Sequence, residues 1–439
     1  MLQARTVSGS WRTLRWWADA ALIAVLLGIP WVRIGGEPLV LLDIPERRFH
    51  VFGLVIFPQE LYFLWLILAA LGLSLFLFTA LAGRVWCGWA CPQTVFTDVY
   101  AALARRIQGW RGWSAPARVA GWRRAATHIC WFALSAGVAF HLVGYFVSPY
   151  ELIGRFRTGQ VSGAAIGFLT VVSVVTYLDF AIVRQTFCKY LCPYARFQGV
   201  LFDRDTLVVG YDGARGEPRG KRGAAKGDCV DCGLCVRVCP TGIDIRDGLQ
   251  LECIACTQCI DACNGVMARL ERAPDLIGYR SWVSLEGLRS ARLLRPRVVV
   301  YGAMLLGVVA IFAVQIVSRV PMGFAVAHNR DALFSRMADG RLGNAFTLHL
   351  ENRDRAPRSF RIRLESSAPE EEPFELIAGV NPVLVAATHS IEARVFVMAP
   401  ADWSARGDSG ELRFVLEDVE RPTRRVVHRA HFLTPEEVR

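Results

Sequence analysis

Up to about residue 320, long apolar runs alternate with arginine-rich breaks; beyond that point the pattern changes to short period-two alternation. Five runs, approximately 16–34, 61–82, 126–147, 161–183 and 298–317, are long enough to cross a bilayer, which takes about 20 helical residues. The first run follows Arg5 and Arg12 but lacks a small-x-small cleavage site and ends in Trp, Pro and Arg, so it reads as an uncleaved span. In the last 110 residues, Phe346-Thr-Leu-His-Leu, Phe360-Arg-Ile-Arg-Leu, Ile391-Glu-Ala-Arg-Val-Phe-Val and Leu412-Arg-Phe-Val-Leu alternate between apolar and polar positions. Gly, Pro, Asn and Asp separate them, which predicts half-buried strands in an antiparallel β-sandwich.

The charges between the runs orient them. Residues 1–15 hold Arg5, Arg12 and Arg15 and no acid, and the second break holds Arg84, Arg105, Arg106, Arg111, Arg118, Arg123 and Arg124 against Asp98 alone. Segment 184–297 opens with Arg184, Lys189 and Arg196 and closes with Arg289, Arg292, Arg295 and Arg297. In the alternate breaks, Arg47 and Arg48 are outnumbered by Glu37, Asp43, Glu46 and Glu60, and the other break has Arg155 and Arg157. Positive residues favour the cytoplasmic side, which predicts the N-terminus and 184–297 inside and the C-terminal region outside. An odd number of spans requires the same. The net charge of +11 is thereby accounted for by loops, which argues against a nucleic-acid footprint. A hydrophobic content of 53 % and a mean hydropathy of +0.32 suit several spans joined to polar domains.

Thirteen cysteines change the picture. Eight form two runs, Cys229-x2-Cys232-x2-Cys235-x3-Cys239-Pro240 and Cys253-x2-Cys256-x2-Cys259-x3-Cys263. This is the bacterial ferredoxin pattern, in which one tight loop wraps three thiolates around a 4Fe–4S cube and the fourth cysteine of each run serves the other cube. It assigns Cys229, Cys232, Cys235 and Cys263 to one cluster and Cys239, Cys253, Cys256 and Cys259 to a second. Zinc knuckles would pair the cysteines differently, and a disulfide framework belongs to small secreted domains. Asn264 departs from the pattern, where Pro often follows the last Cys. Ahead of the first run, Asp203 to Asp228 is rich in Gly and Arg and reads as an irregular linker.

Four more cysteines stand at the ends of the second and fourth runs, as Cys87-x3-Cys91-Pro92 and Cys188-x3-Cys192-Pro193, each followed by an aromatic (Phe96, Phe197). The motif is an internal repeat. On a helix, residues four apart share a face, so each pair can turn both sulfurs to one site, and the Pro would bend the chain. Three readings stay open: a soft metal such as Cu(I), a redox-active dithiol, or small buried hydrophobes. His128, Cys130 and His141 fall in the third run and Asp179 in the fourth. A haem pair, a local hydrogen bond, an ion path or a carboxylate reaching for water are the readings for these. Walker and dinucleotide-binding glycine patterns are absent.

The order of parts resembles the FixG/RdxA/CcoG family of cytochrome c oxidase accessory proteins. So do the segments Asp43-Ile-Pro-Glu-Arg-Arg-Phe, Trp86-Cys-Gly-Trp-Ala-Cys-Pro-Gln-Thr-Val-Phe, Tyr211-Asp-Gly-Ala-Arg-Gly-Glu-Pro-Arg-Gly-Lys-Arg and Cys259-Ile-Asp-Ala-Cys-Asn-Gly-Val-Met. Beyond residue 330 only Asp331-Ala-Leu-Phe and Asp339-Gly-Arg-Leu-Gly-Asn are similar. The resemblance implies a protein of the bacterial inner membrane that reduces Cu(II) to Cu(I) on the cytoplasmic side for assembly of a cbb3-type oxidase. Cys87, Cys91, Cys188 and Cys192 would then be the catalytic and copper-binding residues. It implies as partners a copper-exporting P-type ATPase and oxidase subunits; the cytoplasmic clusters themselves call for a cytoplasmic electron donor, a homodimer is allowed and nucleic acid is not expected. The rivals are a quinol dehydrogenase subunit feeding a periplasmic reductase and a non-enzymatic assembly scaffold.

The expected fold is a membrane bundle of five helices with an inserted α+β ferredoxin domain and a C-terminal immunoglobulin-like β-sandwich. Its expected limits are 1–203 for the first four spans and 204–228 for the linker. The cluster domain takes 229–280, the connector and fifth span 281–320, and the sandwich 321–439.

Overall fold

In the computed structural model, residues 5–110, 119–220, 227–329, 334–365, 374–400 and 410–434 are described. Arg111, Arg118, Lys221, Arg222 and the segment 331–333 lie outside the described residues. The chain forms two compact units, Met1–Ala313 and Val314–Arg439.

Five helical segments have the length and apolarity of membrane spans: Ser10–Trp31, Pro58–Ala82, Gly121–Val143, Gly163–Val183 and Pro296–Val317. These match the five apolar runs, and they make this a membrane protein. The principal helices of the first unit are α1 (Ser10–Gly28), α2 (Leu61–Ala82), α3 (Val85–Trp89), α4 (Pro92–Gln108), α5 (Gly121–Val143), α6 (Pro149–Thr158), α7 (Gly163–Tyr177) and α8 (Pro193–Leu201). Shorter helices α9 (Gly213–Gly216), α10 (Leu234–Arg237), α11 (Gln258–Arg269) and α12 (Trp282–Leu285) follow, then α13 (Pro296–Val317). Between the first two spans, where the sequence promised only a loop, lie five short strands: β1 (Arg33–Ile34), β2 (Glu37–Pro38), β3 (Val40–Asp43), β4 (Arg48–Val51) and β5 (Leu54–Ile56).

The first span is the least apolar of the five because it carries buried charge. Arg15 is 1 % exposed and, together with Arg12, donates to Asp98 of α4 at 2.5 and 2.7 Å. A paired, inward-facing charge is the form in which a span tolerates one.

The expected irregular linker is in part ordered. Strand β6 (Val208–Tyr211) pairs antiparallel with β7 (Ile277–Arg280), and Val209 and Tyr211 enter the core that surrounds the cysteine runs. Periodicity could not announce a four-residue strand flanked by Gly and Arg, because its partner lies nearly 70 residues away. Asn264 has a structural role: its side chain donates to Asp275 Oδ1 (3.1 Å) and accepts from the Asp275 N–H (2.8 Å), fixing the turn before β7.

The second unit holds two antiparallel sheets. One runs β12 (Glu375–Ala378), β14 (Ser390–Met398), β10 (Leu342–Asn352), β8 (Met322–His328), with β9 (Ser335–Arg336) also on β10; the other runs β13 (Val383–Val385), β11 (Arg358–Glu365), β15 (Gly410–Asp418), β16 (Arg425–Phe432). Alternate residues Phe346, Leu348 and Leu350 of β10 and Leu412, Phe414 and Leu416 of β15 are buried in a shared core. Phe346 and Phe414 meet edge-on at 5.1 Å. Period-two alternation thus gave the right faces.

Candidate functional site

The eight ferredoxin-type cysteines line two hollows. Cys229, Cys232, Cys235 and Cys263 face one, closed by Tyr211, Leu234, Val266, Met267 and Ile277. Cys239, Cys253, Cys256 and Cys259 face the other, with Ile243, Ile245 and Ile254, and Cys235 borders both. The hollows are alike in size, ≈ 380 and ≈ 350 Å³, as two sites for one kind of cofactor should be. Cys263 lies within electrostatic reach of Cys235, Cys229 and Cys232, whereas Cys239 acts on Cys253, Cys256 and Cys259. Each run therefore contributes its last cysteine to the other's neighbourhood.

The donor set fits a cationic iron–sulfur cube. Burial in apolar surroundings pushes the Cys253 and Cys263 thiols up to about 12 and Cys235 to about 11. Four thiolates cannot share such a hollow without bound positive charge, and ligation by metal deprotonates them outright. Among the described residues, no three His, Cys, Asp or Glu side chains stand close enough to hold one metal ion. A cube asks for a wider arrangement, with each thiolate on its own iron corner.

The membrane-edge cysteines depart from the helical expectation. Cys87 lies in α3 and Cys91 caps the N-terminus of α4, with a break between them; Cys188 lies in a π-helical turn, Phe187–Leu191, and Cys192 caps α8. Pro92 and Pro193 open helices where a bend was expected, because Pro at the first helical position lacks only an N–H that would be orphaned there anyway. The repeat is nonetheless real in the backbone. Four residues before the first Cys of each motif, Gly83 (φ 55, ψ −119) and Arg184 (φ 54, ψ −132) adopt the same left-handed conformation that stops the span. The aromatics differ: Phe96 is buried, whereas Phe197 is 63 % exposed.

All four thiols share one neighbourhood, although no three of them stand close enough to hold a single metal ion. Cys87 is within electrostatic reach of Cys91, Cys188 and Cys192, and burial lifts it and Cys188 to about 12, against which Arg84 pulls both down. Cys87 Sγ donates to Gln198 Oε1 at 3.6 Å, and Gln198, fully buried, is held by donating to Gly83 O (3.1 Å). Arg84 donates to Ala195 O at 2.5 Å. Neither Arg84 nor Gln198 was singled out as a site residue from the sequence; the adjacency of Arg84 to the first motif was the one available signal.

This thiol set abuts the second hollow. Gly88, between Cys87 and Cys91, packs so closely that a Cβ there would stand 2.4 Å from Ile254 O and 2.7 Å from Ala255 O, in the loop joining Cys253 to Cys256. From the other motif, Lys189 donates to Thr241 O, and Thr241 Oγ1 is 3.3 Å from Cys239 Sγ. Trp89 donates to Tyr279 OH (3.2 Å), which donates to Ala255 O (3.3 Å). The first hollow faces outward, where Cys232 is exposed.

The remaining candidates are locally satisfied. His128 Nδ1 is 2.8 Å from Tyr177 OH and His141 Nδ1 2.8 Å from Gly137 O. Asp179 accepts from Gln93 Nε2 at 3.0 Å, and its charge reaches Cys91 and Cys188. Cys130 is half-buried and forms no disulfide.

Comparison with known proteins agrees with these parts. Residues 183–282 match the model of a 4Fe–4S dicluster domain, 62–111 that of a 4Fe–4S binding domain, and 312–435 that of the IG-like fold at the C-terminus of FixG. The protein RdxA of Cereibacter sphaeroides is 38 % identical over 95 % of this chain and 93 % of its own. The nitrogen fixation protein FixG of Rhizobium meliloti is 31 % identical over 82 % and 78 %. The ferredoxin-type protein NapH of Haemophilus influenzae is 28 % identical over 42 % of this chain and 61 % of its own. A full-length relative at this identity, together with two cysteine-lined hollows behind five membrane helices, makes the chain a member of the FixG/RdxA family and an iron–sulfur electron-transfer protein of the membrane.

Proposed function

We propose that this protein reduces Cu(II) to Cu(I) at the thiols of Cys87, Cys91, Cys188 and Cys192, on the cytoplasmic side of the inner membrane, for assembly of a cbb3-type oxidase. Cys229, Cys232, Cys235 and Cys263 hold an outer cluster; Cys239, Cys253, Cys256 and Cys259 hold an inner one. When bound, such clusters supply one-electron relays. The protein's own part is positional. Cys235 borders both hollows, and Gly88 and Lys189 clamp the thiol segments onto the inner one, so each relay is short. The exposed Cys232 marks the side where a donor docks. Copper is the substrate: one electron converts Cu(II) to Cu(I), and soft thiolates favour the product.

The observation that carries this reading is the contact of both Cys-x3-Cys segments with the loops of one hollow. Dithionite-reduced protein mixed with Cu(II) and a Cu(I)-specific chelator provides the test. Unchanged Cu(I) formation after all four cysteines become Ser would remove the site. A second reading has its own support: an apolar hollow of ≈ 620 Å³, lined by Leu22, Leu26, Trp86, Pro92, Phe96 and Tyr145, opens beside the first motif and suits a quinol. Quinol oxidation and copper reduction measured in one preparation separate the two.

A further inference from the structure

A basic hollow of ≈ 540 Å³ lies where the ferredoxin loops meet the ends of the first and fourth spans. Arg5, Arg12, Arg105 and Arg184 line it, with Gln258 from the start of α11 and Asp98 as its one carboxylate. Asp98 is already taken by Arg12 and Arg15. The neighbouring Asp261 accepts from the backbone N–H of Trp11 and Arg12, and Asp179 accepts from Gln93. Of the lining arginines only Arg12 is ion-paired with these carboxylates, and Arg105 and Arg184 sit deepest among buried groups. Arg105 meets Asp98 only through space and is opposed by the like charges of Arg12 and Arg184. Arg184 lies over the Trp131 ring at 5.4 Å, with its Nε and Nη2 buried and without a hydrogen-bond partner.

The backbone gives an independent reason to look here. Arg184 occupies the left-handed position that Gly83 occupies in the repeat. A β-carbon makes that conformation unfavourable, and such strain is retained where a side chain has a task. A guanidinium fork matches a phosphate bidentately, and arginine-lined pockets between spans at the membrane border are where anionic headgroups bind. We propose that this hollow binds a phosphate group, carried by an anionic phospholipid or free in solution, on the guanidinium groups of Arg105 and Arg184.

The test uses full-length, cluster-loaded protein in detergent, with iron content confirming that each variant is intact. Two probes are titrated after delipidation: phosphatidylglycerol nanodiscs, against phosphatidylcholine ones, and inorganic phosphate. The wild type binds one of them about tenfold more tightly than Arg105→Gln or Arg184→Gly, the loss expected for one charge-assisted hydrogen-bonded contact. Arg105→Lys, which keeps the charge but not the fork, falls between. Arg184→Gly also relieves the backbone, so its unfolding midpoint without ligand is not below the wild type, which separates loss of the ligand from loss of the fold. A response to phosphatidylglycerol alone names a headgroup as the source; a response to inorganic phosphate names the free anion. Equal affinity in wild type and variants, or no binding of either probe, overturns the proposal.

Discussion

Replacing Gly88 by Ala tests the junction on which the electron route depends. The new methyl would begin 2.4 Å from Ile254 O, and ordinary contact begins at 3.4 Å, so one backbone must retreat by about 1 Å. The obstruction is two peptide carbonyls, with no flexible side chain to swing aside. They belong to the loop between Cys253 and Cys256, so relief either spreads the ligands of the inner hollow or pulls Cys87 and Cys91 away. Overpacking of this kind costs about 1–3 kcal/mol. The assay is loss of iron and acid-labile sulfide under chelator challenge, followed by electron paramagnetic resonance of the reduced protein. Gly88→Ala should lose the inner cluster faster than the wild type and reduce copper more slowly. Gly167→Ala, with nothing within 4 Å of its new methyl, should match the wild type in both. Identical chelator kinetics and spectra for Gly88→Ala would refute the close packing.

Pairs of cysteine substitutions test the crossed arrangement: Cys229→Ser with Cys263→Ser should leave roughly half the iron, because both serve one cube, whereas Cys253→Ser with Cys263→Ser should leave almost none. Burial alone would raise the Asp98 carboxyl, but Arg15 and Arg12 outweigh it and hold it below its ordinary value of 3.8. A depressed carboxylate stabilises the fold above its unfolded pKa, so this contribution is present at neutral pH and fades as the pH falls below about 4. Asp98→Asn leaves Arg15 buried and unpaired, a loss of about 3–5 kcal/mol seen as a lower thermal midpoint at neutral pH that narrows toward wild type in acid. In the β-domain, Asn352 is fully buried and donates to Ala356 O, Val385 O and Ala386 O. Asn352→Ala should destabilise that domain by about 1–3 kcal/mol on thermal unfolding, through the carbonyls it leaves unpaired.

What the sequence determined was whatever short-range chemistry specifies. Apolar length set the five spans, alternation set the buried faces of β10 and β15, and cysteine spacing set the two thiol runs, because each is decided within about 20 residues of chain. Only the tertiary structure decided what brings distant segments together. The meeting of Cys87 and Cys188, the seat of Gly88 on Ile254, the docking of Trp11 and Arg12 on Asp261 and the pairing of β6 with β7 all join residues far apart in the chain. Helical geometry misread the Cys-x3-Cys motifs because Pro92 and Pro193 start new helices, leaving Cys91 and Cys192 at extended N-cap positions, and because both segments pack against the ferredoxin loops. Nothing local marked Arg184 either. Its burden shows only when its backbone is set beside that of Gly83 and its guanidinium is found buried with Nε and Nη2 lacking hydrogen-bond partners.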